Sequence, residues 1–208
     1  MRVVGEDLGV RLGRRAVLAG LAFDWSGPGI VAVTGPNGAG KTTLLKVLAA
    51  LLRPGRGAMR WEDGGQALAA RDARARIGFA APELGLWEDL TGLENLAFLA
   101  RARGQAWSAA EGQGWLERVG LAGRGHERVQ TYSSGMKQRL KLACALAGRP
   151  RLVLLDEPGS NLDAEGRAMT EALVGEAARQ TLVVVATNDA TEAGWGTSRL
   201  ELGGVAAR

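Results

Sequence analysis

This sequence contains almost no cysteine, no run of like charges and no long hydrophobic stretch. Its 208 residues include one cysteine, Cys144, which can form no disulfide within the chain, so packing must stabilise the fold. The net charge is +4, and the sequence has no run of five like charges. This distribution disfavours nucleic acid or anionic lipid as the main partner. No stretch approaches the roughly 18 apolar residues of a membrane span. A role at a membrane would therefore be exercised from its surface.

An export signal is also not expected. Arg14 and Arg15 precede an apolar stretch at 16–23, as in a twin-arginine signal. Asp24 ends this stretch, and no small-residue cleavage pattern follows it.

Glycine, in contrast, is abundant. It provides 31 of the 208 residues, about twice the average usage of roughly 7%. Hydrophobic residues make up 46% and charged residues 23%, as in a globular protein of one domain or one domain with a small appendage. The glycine excess indicates tight turns or a close approach of the backbone to another molecule.

Apolar runs alternate with helical patterns, which predicts a parallel sheet flanked by helices. The runs at 30–34, 152–155 and 182–186 have strand length and suit strands buried on both faces. A helix is predicted over 42–52, between the first run and a Pro-Gly turn. Residues 3–12 and 199–206 are expected to add edge strands.

In the middle of the chain, the sequence pattern predicts helices only. Thr91 with Glu94 and Ser108 with Glu111 form capping boxes, each of which begins a helix. A third helix from Ser134 has one apolar face, formed by Leu140, Ala143, Cys144 and Ala147. We therefore predict one domain over 1–208, with an α/β core at 1–81 and 149–208 and a helical insertion at about 82–148.

A phosphate-binding loop is the most specific motif. Residues 35–42 fit GxxxxGK[ST] and lie between a predicted strand and a predicted helix, as the motif requires. Backbone amides in such a loop bind phosphate oxygens, Lys41 would reach the β- and γ-phosphates, and the Thr42 hydroxyl would bind Mg²⁺. The predicted contacts are Gly35, Pro36, Asn37, Gly38, Ala39, Gly40, Lys41, Thr42 and Thr43.

Two carboxylates end a later apolar strand. Asp156 and Glu157 follow the run at 152–155, and ligands of parallel sheets gather at such carboxyl ends. Asp156 would hold Mg²⁺, and Glu157 would polarise the attacking water. The alternative is that both residues simply close the strand.

The order of the motifs resembles the nucleotide-binding subunits of ABC transporters. The segment 132–139, YSSGMKQR, lies between the two nucleotide motifs, and 160–163, SNLD, follows them. The resemblance implies a P-loop NTPase (RecA-like) α/β core with a mixed sheet, an antiparallel β edge subdomain and an inserted helical subdomain. It also implies ATP and Mg²⁺ as ligands.

The same resemblance implies a head-to-tail dimer, homomeric or heteromeric, that encloses two ATP molecules. Each phosphate loop would face the signature of the other subunit, formed by Ser133, Ser134, Gly135 and Met136. Asp163 would link the two sites across the interface. The alternative for residues 133–135 is an ordinary helix N-cap.

Three residues usual in this family are missing. Leu12 occupies the place of the aromatic residue that stacks on adenine, which predicts looser base selectivity. Pro82 replaces a glutamine that touches Mg²⁺, with Glu83 the nearest substitute. Asn188 replaces a histidine at the γ-phosphate and can donate a hydrogen bond without carrying a proton. The one histidine, His126, is predicted to be solvated in a loop. The predicted catalytic residues are therefore Glu157, Lys41 and Asn188.

Two classes of function fit these features. The first is the ATP-hydrolysing subunit of a transporter, with export favoured, located on the cytoplasmic face of the cell membrane beside a separate integral-membrane subunit. Its contact would be the segment 82–91, whose Leu84, Leu86, Trp87 and Leu90 either form an exposed apolar patch or pack inside. The second is a soluble ATPase of the same superfamily that acts on nucleic acid or the ribosome. A weakly active half of an asymmetric pair is a further alternative.

Overall fold

The computed structural model describes residues 1–83 and 85–203. The strands are β1 (Arg2–Leu12), β2 (Arg15–Ser26), β3 (Gly29–Thr34), β4 (Arg56–Asp63), β5 (Gln66–Leu68), β6 (Ile77–Ala80), β7 (Leu152–Asp156), β8 (Leu182–Ala186) and β9 (Ser198–Glu201). The helices are α1 (Lys41–Leu48), α2 (Ala70–Arg74), α3 (Gly92–Ala102), α4 (Ala109–Arg118), α5 (Ser134–Leu146), α6 (Ala164–Ala178) and α7 (Ala190–Ala193).

A five-stranded parallel sheet forms the centre of the molecule, in the order β6-β7-β8-β3-β9. The three predicted apolar strands are confirmed, and every residue of β7 and β8 is buried. Helices lie on its faces, with α1 and α5 packed against β7. The carboxyl ends of β3, β7 and β8 therefore lie side by side, where they can carry a site.

The antiparallel pairing lies in a second sheet of four strands, in the order β2-β1-β4-β5. The parallel strands thus form one sheet and the antiparallel strands form another, instead of sharing a single mixed sheet. The strand predicted at 3–12 lies inside this sheet rather than at its edge, because β1 pairs with β2 on one side and β4 on the other. The strand predicted at 199–206 corresponds to the edge strand β9, and residues 204–206 lie outside the described chain.

Helix α1 is shorter than predicted. It begins at Lys41 and ends at Leu48, rather than extending to residue 52. Ala50 has a left-handed φ of 55°, and the amides of Leu51 and Leu52 donate back to the Lys46 carbonyl at 2.9 and 3.1 Å. This left-handed residue ends the helix before the Pro-Gly turn.

Three long helices lie between β6 and β7, and among the described residues of that segment there is no strand. Both predicted capping boxes are confirmed, at Thr91 and Ser108. The predicted apolar face of α5 is buried in a core that also contains Val153 and Val183. The exact boundaries of the helical insertion, at 82 and 148, stay a prediction.

Across the part of the chain that is described, no helix has the length and apolarity required to span a bilayer. The apolar stretch after Arg14 and Arg15 lies within strand β2, which pairs with β1 in an antiparallel ladder interrupted by three register shifts. His126 is exposed, as predicted.

Candidate functional site

The phosphate loop connects the end of β3 to the start of α1. Gly35, Gly38 and Gly40 have φ values of 144°, 79° and 103°, a range that favours glycine. At Gly40 a Cβ atom would lie 2.9 Å from Leu18 and 3.0 Å from a Val17 side-chain carbon. The loop therefore packs tightly on β2 and delivers the first turn of α1, where free amides attract anions.

Lys41 lies over this loop. Its side chain is only 7% exposed, and Nζ donates to the carbonyls of Gly35 at 2.8 Å and Pro36 at 3.4 Å. The same Nζ lies 4.0 Å from Glu157 Oε1. A phosphate oxygen in the loop would thus meet a cation that is already positioned by the backbone.

Thr42 and Asp156 form a direct pair across the sheet edge. The Thr42 hydroxyl donates to Asp156 Oδ2 at 2.5 Å. Burial raises the pKa of Asp156, and the Thr42 hydrogen bond opposes that rise. Hydroxyl and carboxylate oxygens are ligands that Mg²⁺ prefers, so the donor set fits the ion.

Protein groups alone would not complete a metal site. No group of three or more His, Cys, Asp or Glu residues converges as a metal site within residues 1–83 and 85–203. Mg²⁺ commonly takes one or two protein ligands and the substrate phosphates. The Thr42–Asp156 pair suits that arrangement.

Two hydrogen bonds hold the carboxylate of Glu157. Its Oε1 accepts from the Asn188 amide at 3.2 Å, and its Oε2 accepts from the Thr187 hydroxyl at 3.3 Å. Its φ of 50° is left-handed, which turns the chain sharply at the end of β7. Burial raises the pKa of Glu157, and Lys41 opposes that rise.

Asn188 bridges two parts of the site. Its side-chain Nδ2 donates to Asn37 Oδ1 at 3.1 Å, while its main chain contacts Glu157. The side chain of Asn188 is thus attached to the phosphate loop rather than to the carboxylate.

An open cleft of about 500 Å³ lies against this cluster, and the predicted site residues Gly35, Pro36, Ala39 and Asn188 are not part of its lining. It is lined by Leu12, Arg15, Val17, Asn37, Gly38, Gly40, Lys41, Thr42, Thr43, Pro82, Asp156 and Glu157. Two of these, Arg15 and Val17, are absent from the sequence-based set. A period of two along β2 places them on one face, but only with the register of the β1–β2 hairpin known. Glu83 is not among the lining residues, and its carboxylate is paired with Lys46.

The signature residues do not line this cleft. Ser133 caps α5, where its hydroxyl accepts from the Met136 amide at 3.2 Å, and Ser134 and Gly135 lie in the first turn. Asp163 caps α6 and pairs with Arg139 at 3.1 Å. A single chain therefore provides the N-cap role of these residues without bringing them to its own phosphate loop.

The apolar side chains of 82–91 are only partly exposed. Leu86 and Leu90 are half-buried, and Leu84 lies outside the described residues. Trp87 is 44% exposed and Phe98 of α3 is 45% exposed, with their ring centroids 4.3 Å apart. The exposed part of this surface is thus an aromatic pair, of which Phe98 is a member that the sequence did not indicate.

Comparison with known proteins agrees with this geometry. The family model described as ABC transporter matches residues 18–160. The daunorubicin resistance ATP-binding protein DrrA3 of Streptomyces coeruleorubidus is 39% identical over 160 residues, covering 76% of this chain and 51% of that protein. The cytochrome c biogenesis ATP-binding export protein CcmA 2 of Cupriavidus metallidurans is 36% identical, covering 88% and 87%.

A third relative, the aliphatic sulfonates import ATP-binding protein SsuB 2 of Burkholderia cenocepacia, is 37% identical, covering 87% of this chain and 66% of that protein. The chain therefore spans about half the length of one of these relatives and most of another. Among solved structures, a dimeric ATP-binding cassette in a post-hydrolysis state bound to ADP and Pi has a TM-score of 0.87 at 24% identity, covering 97% of this chain and 94% of that one. With its phosphate loop, acidic strand end and fold, the chain belongs to the ABC transporter family, as an ATP-binding cassette.

Proposed function

We propose that this cassette binds ATP with Mg²⁺, hydrolyses it, and drives a separate integral-membrane subunit from the cytoplasmic face of the cell membrane. The observation that carries the proposal is the convergence of Lys41, Thr42, Asp156 and Glu157 on one cleft. Phosphoryl transfer depends on positioning and on compensation of charge, and this cluster provides both.

Each residue has a distinct role in the proposed reaction. Lys41 binds the β- and γ-phosphates, and Thr42 with Asp156 would hold Mg²⁺, which neutralises charge on the phosphate oxygens when bound. Glu157, fixed by Thr187 and Asn188, orients the attacking water and draws its proton. Asn188 supplies a hydrogen-bond donor near the γ-phosphate.

Dimerisation completes the proposed site. Ser133 and Gly135 lie outside the cleft of their own chain, at the start of a helix whose amides attract anions. A second cassette placed head to tail would bring these residues to the γ-phosphate. A cassette of similar fold is dimeric with ADP and Pi bound, which supports the association of two cassettes.

Export is the direction we propose. Two of the relatives are named for resistance and for export, and one for import.

The Trp87–Phe98 pair is the proposed contact with the membrane subunit, because exposed aromatic side chains are enriched at protein interfaces. All three relatives are ATP-binding proteins, and their names refer to resistance, export or import. These names do not favour the alternative of a soluble ATPase that acts on nucleic acid or the ribosome. If nucleic acid rather than a detergent-extracted membrane protein copurified with the chain, the transport proposal would fail.

The catalytic assignment is tested with Glu157→Gln and Asn188→Ala. We expect Glu157→Gln to lose ATP turnover by about 100-fold or more and to retain ATP binding. Asn188→Ala should change turnover only a few-fold, because its main chain and not its side chain contacts Glu157. Phosphate release and nucleotide binding measure the two effects, with Glu117→Gln on the exposed face of α4 as an isosteric control. The roles are wrong if Asn188→Ala abolishes turnover while Glu157→Gln does not.

A further inference from the structure

A second carboxylate lies buried behind the proposed catalytic residues. Glu192, on α7, is 6% exposed. Its Oε1 accepts from the Gly159 amide at 2.7 Å. Burial raises the pKa of Glu192, and the neighbouring Thr187 hydroxyl and the Gly159 amide oppose that rise. A buried acid costs free energy unless its contacts compensate, so this side chain needs a reason to be there.

The backbone at Gly159 is shaped to accept this carboxylate. A Cβ atom at position 159 would lie only 2.4 Å from Glu192 Oε1. Gly159 follows Glu157 by two residues, and the Ser160 amide donates back to the Glu157 carbonyl at 3.1 Å. The turn that Glu192 holds is therefore the turn that fixes the backbone of Glu157.

Helix α7, which carries Glu192, also connects to Asn188 through its N-cap. Asp189 caps α7, and its Oδ1 accepts from the amides of Thr191 at 2.7 Å and Glu192 at 3.2 Å. Asn188, one residue earlier, contacts both Glu157 and the phosphate loop. Glu192 thus closes a ring of contacts that runs from Glu157 through Asn188 and α7 to Gly159 and back.

We propose that Glu192 is a positioning residue for ATP hydrolysis, which holds the Glu157–Gly159 turn against the Asn188 segment. The inference rests on the proposed hydrolytic function. The same turn leads within a few residues to Asp163 at the start of α6. Glu192 therefore sets the geometry of Glu157 and also fixes the start of the segment that is proposed to meet a second cassette.

The test compares Glu192→Ala with Glu192→Gln. We expect Glu192→Ala to lower kcat by about 10- to 100-fold, because a small misplacement of a catalytic group has an effect of that order. Its KM and the Kd for ATP should change little, since Glu192 does not line the cleft. Glu192→Gln should stay close to the wild type, because the carboxamide oxygen can still accept from the Gly159 amide. Glu201→Ala, an exposed acid on β9, is the control.

A second variant covers the case in which Glu192→Ala does not fold. Gly159→Ala keeps the glutamate at position 192 but displaces its carboxylate from the amide, and it should reproduce the loss of kcat. The inference is overturned if folded Glu192→Ala or Gly159→Ala retains wild-type kcat, or if Glu192→Gln is as impaired as Glu192→Ala. It also fails if KM rises as far as kcat falls. Absence of turnover in the wild type would instead refute the proposed function itself, and this inference with it.

Discussion

Arg15 places a positive charge in the cleft of the phosphate loop, where it pairs across the β1–β2 hairpin with Leu12. Its Nη2 donates to the carbonyl of Gly38 at 3.4 Å, at the rim of the phosphate loop. The planar guanidinium matches phosphate geometry. We therefore expect Arg15 to contact the phosphates of the nucleotide rather than its base.

Arg15→Ala should weaken ATP binding by about tenfold, the loss expected for one charged hydrogen bond. Inorganic tripolyphosphate, which has no base, should lose affinity by the same factor in a calorimetric titration. Arg14→Ala is the matched control, since Arg14 is exposed on the same hairpin but does not line the cleft. A loss confined to ATP would assign Arg15 to the base, and equal losses in both variants would indicate only a general charge effect.

The site residues that the sequence could predict are those with a fixed spacing. Lys41 and Thr42 follow from the phosphate-loop motif, and Asp156 from its place after an apolar strand. The contact of Asn188 with Asn37 spans 151 residues, and no local pattern encodes it. Arg15 was missed because its side of β2 depends on the hairpin register, since a shift of one residue reverses the face.

Glycines within the helices and strands differ in how closely other atoms pack against them, and the neighbouring sequence does not indicate this difference. At Gly78 in β6, a Cβ atom would lie 1.8 Å from the Ala145 carbonyl oxygen of α5. At Gly114 in α4, a Cβ atom would meet nothing within 4 Å. The first glycine allows a helix to approach a strand, and the second only adds conformational freedom to the unfolded chain.

Gly114→Ala should raise the free energy of unfolding by about 0.5–1 kcal/mol, because alanine is the better helix former. Gly78→Ala should lower it by about 1–3 kcal/mol or more, because the backbone of α5 must move away. Urea denaturation of both variants measures the two changes. The packing described for β6 and α5 would be wrong if Gly78→Ala unfolded at the wild-type urea concentration.

Helix starts were predictable from the sequence because their chemistry is local. Thr91, Ser108 and Ser133 each provide a hydroxyl that accepts from an amide three residues later. The end of α1 was not predictable in this way. It depends on Ala50 taking a left-handed conformation, which the sequence pattern assigns to glycine or asparagine rather than alanine.

At the scale of the whole molecule, the signature residues 133–136 do not line the phosphate-loop cleft of their own chain. The alternation of apolar runs and helices predicted an α/β fold, and that prediction is confirmed. The separate antiparallel sheet was implied by the family resemblance and not by the local pattern, because it depends on pairs such as Arg2 with Glu62, and such distant pairing leaves no local signal.

The dimer proposal predicts a change of mass with ATP. Glu157→Gln, which should retain ATP, is expected to elute in gel filtration with ATP and Mg²⁺ at about twice its 21.8 kDa mass, since ligand trapped between two chains favours their association. Without nucleotide it should elute as one chain. Adding Lys41→Ala removes the phosphate contact and should abolish the shift. A Glu157→Gln variant that stays monomeric with ATP at every protein concentration would contradict the proposed dimer.

The buried position of Cys144 in α5 has a practical consequence for site-specific labelling. Burial raises the pKa of its thiol to about 12, so at neutral pH the group is protonated as well as covered, and thiol reagents act on the thiolate. The natural sequence can thus serve as a silent background for fluorophores or spin labels. A cysteine introduced at Arg14 or Phe98, both exposed, would be modified selectively while the fold is intact. Distances between such labels, measured with and without nucleotide, would then show whether the helical region changes its position relative to the sheets.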